Sequence, residues 1–90
     1  TLLQGHQIKL LPSLSEGFSL ALVEAMACGL APIATAIPGN VDILVDGHNG
    51  KLVSARDSQA IEQALEHLIC DRAFLDQIRH NAYATAQHYS

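Results

Sequence analysis

The segment from Leu11 to Leu30 constrains the fold of this chain more than any other part of the sequence. It leaves an apolar run, passes through a turn rich in Pro, Ser and Gly, and enters a helix that is apolar nearly all round. A strand, a loop and a buried helix in this order are typical of α/β folds, in which helices cover a parallel sheet. Ligands of such sheets bind beyond the carboxyl ends of the strands, so binding residues are expected in this turn.

Length and composition restrict the chain to one small core. It has 90 residues, 49% of them hydrophobic, and a chain of this size buries roughly 60–65% of its unfolded surface. No apolar segment is long enough to cross a bilayer and no signal peptide is visible, so we expect a cytoplasmic protein without a transmembrane segment. The net charge of −4 and the dispersed Lys and Arg residues argue against nucleic acid as a partner.

The Cys and His residues form no pattern typical of a metal site or a disulfide. Cys28 and Cys70 are far apart and belong to no C-x-x-C cluster, so we expect both to be small buried apolar residues. The five histidines include no i,i+4 pair and have no partner cysteines. The sequence therefore predicts neither a metal nor a cofactor.

Apolar runs and amphipathic stripes divide the chain into alternating strands and helices. This alternation favours right-handed βαβ units and a three-layer α/β/α sandwich, Rossmann-like, in a single segment covering residues 1–90. The predicted strands lie near residues 7–11, 31–36 and 51–53, and the predicted helices near residues 19–28, 58–70 and 72–87.

Several helix ends can also be predicted. Gly29 is expected to end the first helix in a left-handed conformation. Asp57 or Ser58 is expected to cap the second helix, and Asp71 the last one. The expected buried stripes are Ala60, Ile61, Ala64, Leu65, Leu68 and Ile69 in the second helix, and Leu75, Ile78, Ala82 and Ala86 in the last.

The remaining stretches give weaker signals. The stretch from Thr1 to His6 looks like the tail of a preceding element, because the apolar pair Leu2-Leu3 has nothing before it to pair with. The charge of Lys9 suggests that the first strand reaches solvent at a sheet edge. Pro38-Gly39-Asn40 is expected to turn the chain, with one or two helical turns over Val41 to Val45. For Asn49-Gly50 a tight turn with positive φ is favoured over a binding role.

Two acids of the opening segment are candidate site residues. Glu16 lies in the turn and Glu24 in the following helix, and an ionised carboxylate accepts strong hydrogen bonds from a diol. Glu16 can equally be an acid that is stabilised by the dipole at a helix N-terminus. Glu24 must reach solvent or find a partner, because it interrupts an apolar helix, and the edge of a cleft would satisfy it.

The residues between Glu16 and Glu24 are expected to bind an anion. Gly17-Phe18-Ser19-Leu20 leads into the helix, where unpaired backbone amides and the helix dipole can hold phosphates. Gly17 allows close approach of a ligand to the backbone, whereas Ser19 can instead serve only as the helix cap.

This segment resembles the E-x7-E region of retaining, nucleotide-sugar-dependent glycosyltransferases of the GT-B fold, the family 4 or group 1 type. The resemblance implies that Glu16 is the catalytic residue beside the donor sugar and that Glu24 binds the ribose hydroxyls. Gly17, Phe18, Ser19 and Leu20 would be the donor-binding residues around the phosphates. The matching positions are Ser13, Glu16, Gly17, Phe18, Glu24, Ala25, Gly29, residues 32–34 and residues 46–53.

The resemblance covers nearly the whole chain and implies the C-terminal part of a nucleotide-sugar-binding domain. Family members take their phosphate-binding Arg and Lys from upstream, and the acceptor site largely from a separate N-terminal domain. The expected partners are therefore a nucleotide sugar and that N-terminal domain, and we expect the isolated chain to be inactive and to self-associate. The alternative is a non-catalytic α/β binding or assembly module with the same fold.

Overall fold

A computed structural model describes residues 2–3, 7–11 and 20–89 of the chain. A short 3-10 turn at Gln87–Tyr89 follows the last helix. The elements in chain order are β1 (Leu2–Leu3), β2 (Ile8–Leu11), α1 (Leu20–Ala27), β3 (Ala31–Thr35), α2 (Pro38–Val41), β4 (Lys51–Val53), α3 (Ser58–Cys70) and α4 (Arg72–Ala86).

The four strands form one sheet in the order β1-β2-β3-β4. β2 pairs in parallel with β3, and β3 pairs in parallel with β4, which confirms the three predicted parallel strands. The prediction missed β1, which pairs antiparallel with β2 and places Leu2 opposite Lys9. The expectation that Lys9 lies on an edge strand is therefore wrong, because β2 has a neighbouring strand on both sides.

The strand β3 is the centre of the core, and all five of its residues are buried. Ile33 packs in a cluster with α3 and the first half of α4, whereas Ala34 packs in a second cluster with α1 and the second half of α4. Successive side chains of a strand point to opposite faces. Helices therefore cover both faces of the sheet, which confirms the predicted three-layer α/β/α architecture.

The helices α3 and α4 are joined by one residue. The carboxylate of Asp57 accepts a hydrogen bond from the Ala60 N–H (3.0 Å), so Asp57 rather than Ser58 caps α3. Asp71 caps α4 by accepting from the Phe74 N–H (3.0 Å). The backbone N–H of Asp71 also donates to the last turn of α3, so this residue ends one helix and begins the next.

The stripe predicted for α4 is confirmed, because all four of its residues are buried. In α3, Ala64 and Leu68 are buried, and Ala60, Ile61 and Leu65 are half-buried against the same core cluster, so the predicted stripe is confirmed except at Ile69. Ile69 is 46% exposed, and Cys70 is exposed rather than buried as expected. Both residues follow Leu68 at the end of the helix, where α3 turns into α4.

Side chains of α4 form hydrogen bonds to the segments that precede each parallel strand. This 15-residue helix is roughly 22 Å long, enough to cross three strands spaced about 4.8 Å apart. α4 therefore braces the amino-terminal edge of the sheet, opposite the edge where ligands of parallel sheets bind. The bonds join Arg72 Nη1 to Gln7 Oε1 (2.8 Å), Arg79 Nε to the Gly29 carbonyl (2.7 Å), Asn81 Nδ2 to the His48 carbonyl (2.8 Å) and Asn49 Nδ2 to Thr85 Oγ1 (3.0 Å).

The helix α1 is only partly buried. Leu22, Ala25 and Met26 face the core, whereas the opposite side of the helix is exposed. Burial between the sheet and another layer was expected because the helix is apolar nearly all round. Cys28, which directly follows α1, is also exposed and not buried as predicted.

The segment after β3 differs from its prediction. Pro38-Gly39-Asn40 does not merely turn the chain but forms most of α2, with Pro38 in the first turn. Proline suits that position because its fixed φ is helical and the missing N–H has no partner there. The predicted helical turns over Val41 to Val45 overlap α2 only at Val41.

The loop before β4 turns at a different glycine from the one predicted. Gly47 has the positive φ (80°), whereas Gly50 does not. Gly50 is needed for space, because a Cβ there would lie 2.9 Å from both Leu44 Cδ2 and Pro32 Cγ. Asn49 is buried: its Oδ1 accepts from the Val45 N–H (2.8 Å), and its Nδ2 donates to the Ile43 carbonyl (3.2 Å). Its role is therefore structural, as favoured over a binding role.

Candidate functional site

The candidate site lies where β2 leads into α1. β2 ends at Leu11 and α1 begins at Leu20, so the residues between them follow the carboxyl end of a parallel strand. Glu16, Gly17, Phe18 and Ser19 lie outside the residues that the structure describes. Their assignments stay predictions, and the described part of the site is its helical side.

Leu20 and Glu24 lie on the exposed side of α1. Leu20 is the first residue of the helix and is 68% exposed, a large value for an apolar side chain. Glu24 is also exposed, one turn further on. Within the described residues the Glu24 carboxylate has neither an ion-pair partner nor a hydrogen-bond donor. Glu24 therefore meets the requirement of a charge in an apolar helix by reaching solvent.

An open pocket of about 320 Å³ runs along the flank of α1 and includes Glu24. Most of its wall is apolar, and Lys9 of β2 supplies the other charge. Mainly apolar walls with a few polar groups are typical of small-molecule sites. The pocket is lined by Lys9, Ala21, Glu24, Ala25, Cys28 and Leu30.

The backbone around Glu24 is held by the hydrogen bonds that end α1. Gly29 has a φ of 78°, which confirms the predicted left-handed stop. Its N–H donates to the Met26 carbonyl (3.0 Å), and the Leu30 N–H donates to the Ala25 carbonyl (3.1 Å). These two bonds form a Schellman motif. The Glu24 carbonyl accepts from the Cys28 N–H (3.1 Å) in the same turn, so the backbone at Glu24 belongs to the hydrogen-bonded end of α1.

The carboxyl end of the neighbouring strand β3 is held by Asn40, a residue that the sequence did not indicate as important. Asn40 is buried, and its Nδ2 donates to the Thr35 carbonyl (2.7 Å). This bond ties the last residue of β3 to α2. The only signal in the sequence is an Asn that follows Pro-Gly, which is equally typical of a surface turn.

The described residues provide no metal site. No group of three or more His, Cys, Asp or Glu side chains within them comes together as metal ligands. The prediction of a metal-independent site is not tested by this finding. Among the helices from α1 to α4, none combines the length and the apolar character needed to span a bilayer.

Comparison with known proteins defines the family. Residues 1–85 match the family model of glycosyl transferases group 1. A probable sucrose-phosphate synthase 1 of Oryza sativa subsp. indica is 42% identical over 79 residues, which are 88% of this chain and 7% of that protein. The chain thus spans less than a tenth of the length of this relative.

Two solved structures have the same fold as the chain. The C-terminal domain of the glycosyl transferase group 1 family protein LpcC from Francisella tularensis superposes with a TM-score of 0.84 at 38% identity, covering 91% of this chain and 42% of the other. Anabaena Alr3699/HepE in complex with UDP-glucose superposes with a TM-score of 0.86 at 28% identity, covering 91% and 23%.

Parallel strands covered by helices on both faces define a Rossmann-like α/β class of fold. The chain belongs to the group 1 glycosyltransferases and is a C-terminal segment of the GT-B type. Both the predicted family and the predicted fold class are confirmed.

Proposed function

We propose that this chain forms the donor half of a glycosyltransferase site and binds a nucleotide-diphosphate sugar. The observation that carries the proposal is the exposed Glu24 carboxylate on α1, the first helix after β2, beside an open pocket along the flank of that helix. A diol of a ribose offers two O–H donors to such a carboxylate. Membership of a transferase family supports this reading over a non-catalytic module.

The proposed chemistry assigns different tasks to the two acids. Glu16 lies beside the donor sugar, where its negative charge favours the positive charge that develops at the anomeric carbon in the transition state. Glu24 holds the ribose and does not touch the reacting carbon. The backbone amides of Gly17, Phe18, Ser19 and Leu20, at the N-terminus of α1, bind the diphosphate and stabilise it as the leaving group.

The donor in this proposal is a uridine-diphosphate hexose, and the complex of Alr3699/HepE with UDP-glucose supports that choice. Transfer with retention, without a metal and in the cytoplasm belongs to the proposal as well. The whole reaction also requires the parent protein, because the chain covers 42% of the LpcC C-terminal domain chain and smaller shares of the other two relatives. The acceptor is left open.

Steady-state kinetics of the full-length parent protein with UDP-glucose as the varied donor test the two roles. Glu16→Gln should mainly lower kcat, because it removes an interaction that strengthens in the transition state. Glu24→Gln should mainly raise the donor KM, because it weakens ground-state and transition-state binding alike. Loss of one charged hydrogen-bond pair costs roughly 1.5–3 kcal/mol, or about ten- to a hundredfold in either constant.

The control for both substitutions is Glu62→Gln on the exposed side of α3, which changes the same charge away from the candidate site. It should leave kcat and KM unchanged. If Glu16→Gln and Glu24→Gln behave like this control while circular dichroism shows folded protein, the site assignment is wrong.

A further inference from the structure

A single side chain connects α4 to the end of the helix that carries Glu24. Arg79 Nε donates a hydrogen bond of 2.7 Å to the carbonyl oxygen of Gly29. The guanidinium is about one-third exposed and also lies 3.7 Å from the carboxylate of Asp76, one turn earlier on α4. Its position is therefore fixed from two sides.

The carbonyl that Arg79 binds belongs to the residue that ends α1. Gly29 is the left-handed residue of the Schellman motif, and its own N–H is engaged with Met26. A cationic side chain at this end of a helix also interacts favourably with the negative end of the helix dipole. Arg79 thus contacts the residue whose backbone conformation ends α1.

The distance from this bond to the candidate ligand group is short. Glu24 lies five residues before Gly29, so about 7.5 Å of helix axis separates them. Since α1 has eight residues, a small tilt at its C-terminal end changes the direction of Glu24 and of the N-terminal end beyond it. Hydrogen bonds to a ligand depend steeply on such geometry.

We propose that Arg79 is a positioning residue for nucleotide binding: it holds the end of α1 against α4 and so orients the Glu24 carboxylate toward the ribose hydroxyls. This inference rests on the proposed function. The positioning role differs from a purely stabilising role in its predicted effect: removing the Arg79 side chain should selectively weaken recognition of the ribose.

The matched control is Arg72. It lies on the same helix, pairs with the same Asp76 carboxylate (3.3 Å), and is more exposed than Arg79. Its second bond goes to Gln7 and not to α1. Arg72→Met and Arg79→Met therefore remove the same charge from the same helix, and only the second removes the bond to Gly29.

The experiment uses the full-length parent protein and isothermal titration calorimetry with UDP and 2′-deoxy-UDP. The unmodified protein and Arg72→Met should bind UDP about tenfold more tightly than 2′-deoxy-UDP, because a site built for a hydroxyl group rejects the analogue that lacks it. Arg79→Met should reduce this ratio to about twofold or less and weaken UDP binding several-fold. Arg79→Lys should restore part of the ratio, because a lysine can donate to Gly29 without the fixed geometry of a guanidinium.

A double variant separates positioning from general stability. If Arg79 acts through Glu24, then Glu24→Gln with Arg79→Met should bind UDP about as weakly as Glu24→Gln alone. Independent effects that multiply would overturn the proposal, as would an Arg79→Met protein that keeps the UDP to 2′-deoxy-UDP ratio of Arg72→Met. Should Arg79→Met not fold, the pair Arg79→Lys and Arg72→Lys gives a milder comparison, in which only Arg79→Lys should lower the ratio; equal ratios would overturn the proposal.

The proposed function fails in a different way. If Glu24→Gln keeps the full ratio, or if the unmodified protein does not bind UDP, the ribose assignment with a uridine donor is wrong, and the inference on Arg79 is overturned with it. If Glu24→Gln loses the ratio and Arg79→Met does not, only the positioning role is wrong.

Discussion

The helices α1 and α3 cover the sheet on opposite faces but differ in how their outer sides are built. α3 buries Ala64 and Leu68 and presents Gln and Glu residues to solvent. α1 has an equally well-buried inner side at Leu22 and Met26, yet its outer side exposes Leu20 and carries one charge, Glu24. The outer side of α3 is a polar, solvated surface. The outer side of α1 is mostly apolar, which is typical of a surface that binds a ligand or a partner protein.

This difference between the two helices indicates where the binding site of the chain lies. Apolar side chains exposed singly need no explanation, but an apolar helix flank beside a pocket is typical of ligand or partner surfaces. α4 packs against α3 in one core cluster and against α1 in the other, so we expect α3 and α4 to contribute mainly to stability and α1 to carry the site. The predictions below test this division, from the largest expected effect to the smallest.

The largest loss of stability is expected from a substitution in the core beneath α3. Leu68 is fully buried and packs in the cluster that includes Leu75 and Ile78 of α4. Leu68→Ala should lower the free energy of unfolding by about 2–5 kcal/mol, measured by urea denaturation with circular dichroism. Ile69→Ala, at the next and largely exposed position, is the control and should cost clearly less. Equal losses would contradict the described orientation of α3.

The next effect concerns the loop that α4 holds. Asn49 makes hydrogen bonds to Val45, Ile43 and Thr85 while buried. Asn49→Ala should cost about 1–3 kcal/mol, because it leaves buried backbone groups without partners. His48→Ala changes an exposed side chain of the same loop and should be near neutral in the same urea measurement. If Asn49→Ala left the free energy of unfolding unchanged, the structural role of the Asn49 hydrogen bonds would be contradicted.

A smaller effect is expected at the junction of α3 and α4. Asp71→Ala removes the side-chain cap on the Phe74 N–H and should cost about 1 kcal/mol. The control is Glu66→Ala, which changes an exposed acid of α3 without a capping role. The thermal midpoint of unfolding, followed by circular dichroism, should fall for Asp71→Ala and stay within error for the control.

The smallest change in stability, with a separate effect on association, is expected on the outer side of α1. Leu20→Glu should alter the free energy of unfolding by no more than about 0.5 kcal/mol, because the side chain is already exposed. We expect the isolated 90-residue chain to self-associate through apolar surface and to do so less after this substitution. Analytical ultracentrifugation measures this, and Gln63→Glu, which adds the same charge to the polar side of α3, is the control. A monomeric unmodified chain would contradict the expectation.

The fold could be predicted from the sequence wherever polar residues mark the solvent side. The stripe of α4 and the caps at Asp57 and Asp71 are such cases, because period and capping chemistry are local signals. α1 is the opposite case: with one charged residue its pattern does not say which side is buried. The strand β1 has two residues, too few to show a period.

The site could be predicted only in part. The position of Glu24 on an exposed helix flank follows from the cost of burying a charge. Arg79 could not be predicted, since its partner Gly29 is 50 positions away in the sequence and an Arg on a helix is usually a solvated side chain. The hydrogen bonds of Asn40 and Asn49 to backbone carbonyls could not be predicted either. In a sequence, buried asparagines of this kind look like ordinary turn residues.

The single-residue junction at Asp71 also has a consequence for the order of folding. Contacts between α3 and α4 close almost no loop, whereas pairing β2 with β3 must first close the long segment that contains α1, at a greater cost in chain entropy. We therefore expect the two C-terminal helices to associate early in folding. During synthesis, β2 and α1 leave the ribosome before α4, the helix that braces them. We therefore expect β2 and α1, which carry the candidate site, to reach their native packing only after α4 has been synthesised.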